Sequence, residues 1–220
     1  MKRILYMILV CTCMVCATSC SESDDSDTEY DNWQQRNVEH FELMYQRALD
    51  SIAKNPTKWK LIKAYSRNPD TEGAHTDYII VHVLSQKAEH EECTKPSYAE
   101  SPYYTDSVRV HIRRYLMPSA SYNVKSEGFG GFGFQFDSSW LGEYNPQTMV
   151  PQSYAVGGDC NAFATAVMNM HLGDRWEICV PYPLTDGSTI SSTIPSYSMM
   201  FFDITLHSFA RSGEKWPAFQ

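Results

Sequence analysis

An α+β domain built on an antiparallel sheet is the fold class this sequence predicts. Several segments alternate apolar and polar residues at the two-residue period of strands, and only one short helical pattern stands among them. The composition supplies the core such a domain needs. The 220 residues are 43% hydrophobic with 14 Tyr, 10 Phe and 5 Trp, enough apolar area to offset the entropy of ordering one main domain and too much for a disordered chain. Lys and Arg number 18 against 26 Asp and Glu, a net charge of −8 that gives no support to nucleic-acid binding, which would need a basic face, so no nucleic-acid partner is expected.

Residues 1–19 read as a secretory signal. Lys2 and Arg3 give the positive start, Ile4 to Ala17 a mostly apolar run, and Ala17-Thr18-Ser19 a small-residue approach to Cys20. Small residues ending in a cysteine resemble the lipobox of bacterial lipoproteins, whose cysteine sulfur takes a diacylglycerol. Ala17 stands where that family usually has a larger aliphatic residue. The resemblance implies lipid attachment at Cys20, a membrane association that needs no other device in the mature chain. Loss of the signal leaves 16 basic against 26 acidic residues, a net of −10. Residues 20–32 then form an acidic tether, since SESDDSDTEYD has no aliphatic side chain to bury. Ser21 in place of an aspartate implies the outer membrane by the familiar sorting rule. The acids resemble a surface-export signal and equally suit a plain linker, which leaves the periplasmic and surface sides both open.

In residues 33–76, Val38, Phe41, Tyr45, Ala48 and Ile52 recur at three- and four-residue steps. They predict an amphipathic helix from Trp33 to Lys54, stopped by Asn55-Pro56. Lys58 to Tyr65 follows as a short strand and Ser66 to Thr76 as a turn region. Residues 77–220 carry the main domain. Asp77 to Ser85 (DYIIVHVLS) clusters β-branched and aromatic residues without a breaker, and Ser107 to Leu116 (SVRVHIRRYL) alternates as a half-buried strand. Gln86 to Ser107 between them is a polar loop.

Pro118 to Gly133 holds a Gly-Phe-Gly-Gly-Phe-Gly run with neither the preceding strand nor the following helix of a phosphate cradle, so it reads as a hairpin tip with apolar decoration. Phe134 to Asp137 is strand-like. Asp159 to Leu172 forms the second helix, with Phe163, Val167 and Met170 on one face, Asp159 or Asn161 as its cap and Gly173 at its end. Trp176 to Val180 and Met199 to Phe209 complete the strands.

Seven cysteines are present. Cys11, Cys13 and Cys16 lie in the signal and Cys20 at the lipid site, which leaves Cys93, Cys160 and Cys179. An oxidising compartment permits one disulfide, and spacing selects no pair. His90-Glu91-Glu92-Cys93 has ligand-type residues, but consecutive positions do not all face one ion, so no metal site is expected.

Four blocks of the second half, in order, resemble the FK506-binding-protein (FKBP) family of peptidyl-prolyl cis-trans isomerases. They are Val110-His111, Phe136-Asp137-Ser138-Ser139, the stretch Met170 to Gly187 with its Met-His-Leu-Gly-Asp-Arg turn, and Ile194-Pro195 followed by Phe202-Asp203. The resemblance covers about Asp77 to Phe209. It implies a bent antiparallel sheet wrapped around a short helix, with an apolar cleft for a proline ring, and makes Trp33 to Lys54 an extra N-terminal helix. The implied pocket consists of Phe136, Asp137, Phe163, Ile194 and Phe202, with Phe163 replacing the family's tryptophan floor. Asp137 is the implied catalytic residue, and Cys160 falls where the family offers a backbone N–H to substrate.

The chain departs from the pattern at three places. Asp186 aligns with a tyrosine whose hydroxyl would hold a substrate carbonyl, Ile112 replaces a second tyrosine, and the interval from Leu116 to Phe136 is longer than in the family. The implied function is a lipid-anchored, weakly active isomerase that acts on proline-containing segments of exported proteins. A binding module of the outer membrane that kept the fold and lost catalysis is the alternative. Neither needs a cofactor: the barrier of roughly 18–20 kcal/mol comes from amide resonance, which an apolar site can weaken without breaking a covalent bond.

Overall fold

The computed structural model describes residues 28–86, 100–185 and 193–216. The expectations placed on Cys20, on Cys93 and on Asp186 fall outside them. The chain divides at Asp31 into two units, and the described part of the first is a 3-10 turn at Thr28–Tyr30.

In the unit from Asn32 onward, helix α1 (Trp33–Lys54) precedes strands β1 (Trp59–Lys63), β2 (Tyr78–Ser85), β3 (Ser107–Leu116), β4 (Gln135–Ser138) and β5 (Gln152–Ala155). Helix α2 (Asn161–Val167) and strands β6 (Arg175–Val180) and β7 (Met200–Ala210) follow. Among the described residues all seven strands form one sheet in the order β1-β2-β6-β7-β3-β4, with β5 also on β3, and every pairing is antiparallel. The expected α+β class with an extra N-terminal helix is therefore what the chain adopts. Because β1 pairs with β2 from Trp59↔His82 to Lys63↔Tyr78, residues before Asp77 supply a strand of the same sheet.

Strand alternation divides the apolar residues into two cores. One face presents Ile79 and Val81 from β2, Val110 and Ile112 from β3, Ile178 from β6 and Phe202 and Ile204 from β7 to helix α2, which inserts Phe163, Ala166 and Val167. The other face presents Ile80, Tyr115, Cys179 and Phe201 to Phe41, Met44, Tyr45 and Ala48 of α1. The central strands are thus sandwiched, which explains nearly continuous apolar runs where a half-wet strand would alternate.

The heptad-like spacing placed α1 correctly and its apolar stripe imperfectly. Val38 is 47% exposed, while Trp33, Asn37 and Met44 are buried. The buried stripe is set by the neighbours that α1 meets. Asn37 Nδ2 donates to Trp33 O at 2.7 Å and its Oδ1 accepts the Met199 N–H at 2.8 Å, and Trp33 Nε1 donates to Ser198 Oγ at 2.9 Å. The helix therefore both covers the sheet and pins the chain entering β7.

Helix α2 is shorter than the expected 159–172. Its N-cap is Cys160, whose side chain makes no cap bond, and the Asp159 carboxylate before it bonds Arg114 and the Cys160 N–H. Near its C-terminal end Asn169 Nδ2 donates to Thr165 O, and Gly173 (φ 88°) donates its N–H to Leu206 O of β7. Gly173 thus serves the approach to β6 rather than ending a helix.

The glycine-rich segment also differs from a decorated hairpin tip. Phe129 and Phe132 are buried in the α1-side core, with Phe132 stacked on Tyr115 at 4.7 Å and Phe129 5.4 Å from Phe201. A Cβ on Gly133 would stand 2.0 Å from Met117 O, so the residue there must be glycine for the backbone to lie this close.

Candidate functional site

The site builds up where β3, β4, β7 and the head of α2 meet. Alternation from Val110 to Arg114 puts Arg114 on the same face of β3 as Val110 and Ile112, and it faces Phe202 across β7 and Asp137 across β4 in the sheet register. The β3–β4 pairing shifts between Arg114 and Tyr115, so Phe136 has no partner of its own in the β3–β4 register. Such a bulge re-aims side chains at a sheet edge.

Arg114 is the centre of the cluster. Its Nη2 bonds Asp159 Oδ2 at 2.5 Å, and its Nη1 lies 3.5 Å from Asp137 Oδ2. The guanidinium carbon stands 5.4 Å from the Phe202 ring centre, 5.6 Å from Tyr154 and 5.7 Å from Phe163, within the range in which a cation is attracted to a ring face. Tyr154 and Phe163 are themselves 5.3 Å apart. Burial by itself would make the guanidinium easier to deprotonate, but Asp159 foremost, and Asp137 after it, more than reverse this and hold Arg114 firmly cationic. Burial raises the Tyr154 hydroxyl above the ordinary phenol range despite the opposing pull of Arg114.

The residues implied by the resemblance divide into two groups. Asp137, Phe163 and Phe202 gather around Arg114, and Cys160 stands at the head of α2 beside Asp159. Phe136 and Ile194 are partly buried against the α1-side core, whereas Phe163, Phe202 and Cys160 belong to the α2-side core. The Cys160 N–H donates to Asp159 Oδ1 at 2.7 Å, so in this state it is already engaged by the chain. Ile112 is fully buried among the α2-side aliphatics and brings no polar group to the site.

Sequence reasoning missed Arg114, Tyr154 and the ion-pairing role of Asp159. A signal for Arg114 was present, since two residues after Ile112 on an alternating strand is an inward position. Nothing local marks Tyr154, which lies in a four-residue strand recognised only through its pairing with β3. Among the described residues no group of three or more His, Cys, Asp or Glu side chains comes together as a metal site, and no helix is long and apolar enough to cross a membrane.

No protein-family model matches the chain, and no curated protein matches it. Among solved structures it is similar to a peptidyl-prolyl cis-trans isomerase from Pseudomonas syringae pv. tomato, at 15% identity over 84% of this chain and 99% of that one, with a TM-score of 0.49. It is similar to FkpA from Escherichia coli, at 16% identity over 81% of this chain and 65% of that one, with a TM-score of 0.44. It is also similar to the structure of the three FKBP domains of wheat FKBP73, at 18% identity over 70% of this chain and 51% of that one, with a TM-score of 0.45. A peptidyl-prolyl isomerase and FKBP domains are thus among the structures this chain resembles.

Proposed function

We propose that the protein is a weakly active, FKBP-like peptidyl-prolyl cis-trans isomerase, exported and lipid-anchored at Cys20 in the outer membrane, that acts on proline-containing segments of exported proteins. The observation that carries this reading is the convergence of Phe163 and Phe202, both fully buried beneath Arg114, with Asp137 at their edge, assembled from β7, β4 and α2. Once uncovered, these two rings suit a proline ring, and a site of low polarity favours the twisted amide, whose charge separation is reduced. Asp137 is the residue assigned to the reacting amide. Its side chain is 31% exposed, open to a peptide approaching from solvent.

Exchange spectroscopy on a proline tetrapeptide with the purified protein tests the reading. The expected result is cis–trans exchange faster than the uncatalysed tens of seconds to minutes. A protein that does not accelerate exchange overturns it, and one that also fails to bind the peptide overturns the prolyl-peptide site. Asp186→Tyr, which restores the hydroxyl implied by the resemblance, is expected to raise the rate. Radiolabelled fatty acid is expected to enter the wild type and not Cys20→Ser, and equal labelling of both overturns the anchor.

A second reading, a prolyl-peptide-binding module without useful turnover, is favoured by one observation. The Cys160 N–H that the resemblance offers to substrate is bonded to Asp159. Peptide binding without any acceleration of exchange is its signature.

A further inference from the structure

Three aromatic rings and two carboxylates converge on one point, and the group at that point is the chain's own Arg114. The guanidinium is nearly equidistant from Phe202, Tyr154 and Phe163, at 5.4, 5.6 and 5.7 Å, and is tied to Asp159 at 2.5 Å and Asp137 at 3.5 Å. A planar cation between ring faces and acids is a strongly complementary pairing. It also lies over the surface on which the proposed proline ring would stack. A ligand reaching Phe163 and Phe202 has to move Arg114 away. That exposes a second requirement: Asp159, whose side chain is only 15% exposed, would be left with an uncompensated charge in a desolvated position, which is strongly unfavourable.

We infer that Arg114 sets the substrate preference of this cleft: it is an internal occupant, and the peptides able to replace it are those with a lysine or arginine next to proline, whose cation takes over between Asp159 and Asp137. The inference rests on the proposed prolyl-peptide site and adds to it a substrate class. An acidic residue beside proline meets the two carboxylates as a like charge and lacks the means of releasing Arg114. Because binding requires a minor, Arg114-withdrawn state, the apparent affinity of any peptide is reduced by the population of that state, so removal of the occupant strengthens binding.

Titration of the full chain with three otherwise identical peptides, Ala-Lys-Pro-Phe, Ala-Ala-Pro-Phe and Ala-Glu-Pro-Phe, tests this by NMR. In the wild type the lysine peptide is expected to bind at least about tenfold more tightly than the glutamate peptide, with the difference shrinking as salt rises. The Arg114 Nε–H resonance, shifted by the three rings, is expected to return towards its free position on binding. Arg114→Ala is expected to bind the alanine and lysine peptides more tightly and to widen the preference for lysine over glutamate, because both carboxylates then lack a cation. Should that variant fail to fold, Asp159→Asn replaces it: the amide oxygen still accepts the Cys160 N–H while the charge that retains Arg114 is gone, and binding of the alanine peptide is expected to rise. Equal or tighter binding of the glutamate peptide overturns the inference, as does an Arg114 resonance unmoved in the complex.

Failure of the prolyl-peptide reading looks different. In that case no peptide binds any form, and tetramethylammonium becomes the probe. Its binding by Arg114→Ala, detected on the Tyr154, Phe163 and Phe202 rings, keeps the cation-occupant assignment, and the absence of such binding rejects it.

Discussion

The carboxylate of Glu177, on β6, accepts the backbone N–H of Gly128 at 2.7 Å, and this bond ties the glycine-rich segment to the sheet. The same carboxylate accepts the Glu127 N–H at 3.0 Å and the Ser126 hydroxyl at 3.1 Å, and faces His82 Nδ1 at 3.3 Å. Burial alone would raise its pKa. These hydrogen bonds, His82 foremost, outweigh that and hold the group below the ordinary carboxylate range. A chain rich in Gly and Phe thereby acquires one fixed course over the α1-side core.

Glu177→Gln is expected to cost on the order of 2–4 kcal/mol, because the amide still accepts some of these bonds but presents an N–H to donors already aimed at it. Urea denaturation reads the loss. Since the folded pKa is depressed, this carboxylate's contribution is complete above about pH 4.5, its unfolded value, and is lost as pH falls through the folded value. The variant's stability difference from wild type is expected to narrow accordingly in acid, and a difference independent of pH contradicts the charged state of Glu177.

Gly128→Ala tests the same contact sterically. The added Cβ would meet His82 Nδ1 at 2.5 Å and Cγ at 2.6 Å, and the ring has little room to retreat, being packed against Trp59 at 4.5 Å. A loss of at least about 1 kcal/mol is expected. Gly130→Ala is the control, since its Cβ would meet no atom within 4 Å, although its φ of 81° carries its own strain. The expected signature of the Gly128 clash is a loss of the Trp59–His82 contact seen only in that variant.

His111, on β3, is 1% exposed and, among the described residues, neither ring nitrogen has a hydrogen-bond partner. Burial first, and then the nearby His207, lower its pKa to about 4. The unfolded chain takes up this proton near 6.5, so the stability associated with keeping His111 neutral is complete above pH 6.5 and declines as pH falls towards 4. The linkage amounts to roughly 3 kcal/mol at most. His111→Phe is expected to flatten the stability profile between pH 4 and 6.5. An unchanged slope would assign the acid sensitivity to other groups.

Asn37 joins α1 to the start of β7 through the Met199 N–H at 2.8 Å while bonding Trp33 O. Asn37→Leu leaves the Met199 N–H without its acceptor in a buried place, while Trp33 O keeps its helical bond, with an expected cost of about 1–3 kcal/mol. Hydrogen exchange at the Met199 amide is expected to accelerate beyond the global change, a local effect that general destabilisation does not produce.

Local rules served the sequence well wherever an element's neighbours were predictable from its own pattern. Trp33–Lys54 and Ser107–Leu116 have the expected bounds because their periodicity is long and uninterrupted by Gly or Pro. What escaped was decided by distant partners. Asp159 looked like a helix cap, but Arg114, 45 residues earlier in the chain, claims its carboxylate. The glycine-rich run looked like a loose tip, yet Glu177, about 50 residues onward, organises its N–H groups. Phe136 and Ile194 were grouped with Phe163 and Phe202 by the order of motifs, which carries no information about the face of the sheet on which each is buried.

The proposed cleft separates stability from recognition at two residues. Phe163 has no exposed surface, and truncation to alanine would cost about 3–5 kcal/mol by leaving a cavity, enough to obscure any functional effect. Phe163→Leu keeps most of the volume and removes the ring, at an expected cost of about 1–2 kcal/mol. Asp137 is partly exposed and its ion pair with Arg114 is the longer of the two, so Asp137→Asn is expected to change stability by less than about 1 kcal/mol. If the cleft recognises prolyl peptides, both variants lose affinity for a lysine-containing peptide in isothermal titration while remaining folded at the working temperature. The two differ in salt dependence. Leucine at 163 removes a ring face and leaves the salt effect of the wild type, whereas asparagine at 137 removes a charge and weakens that effect for a lysine-containing peptide. Equal peptide affinity in wild type and both variants would place the binding surface elsewhere on the molecule.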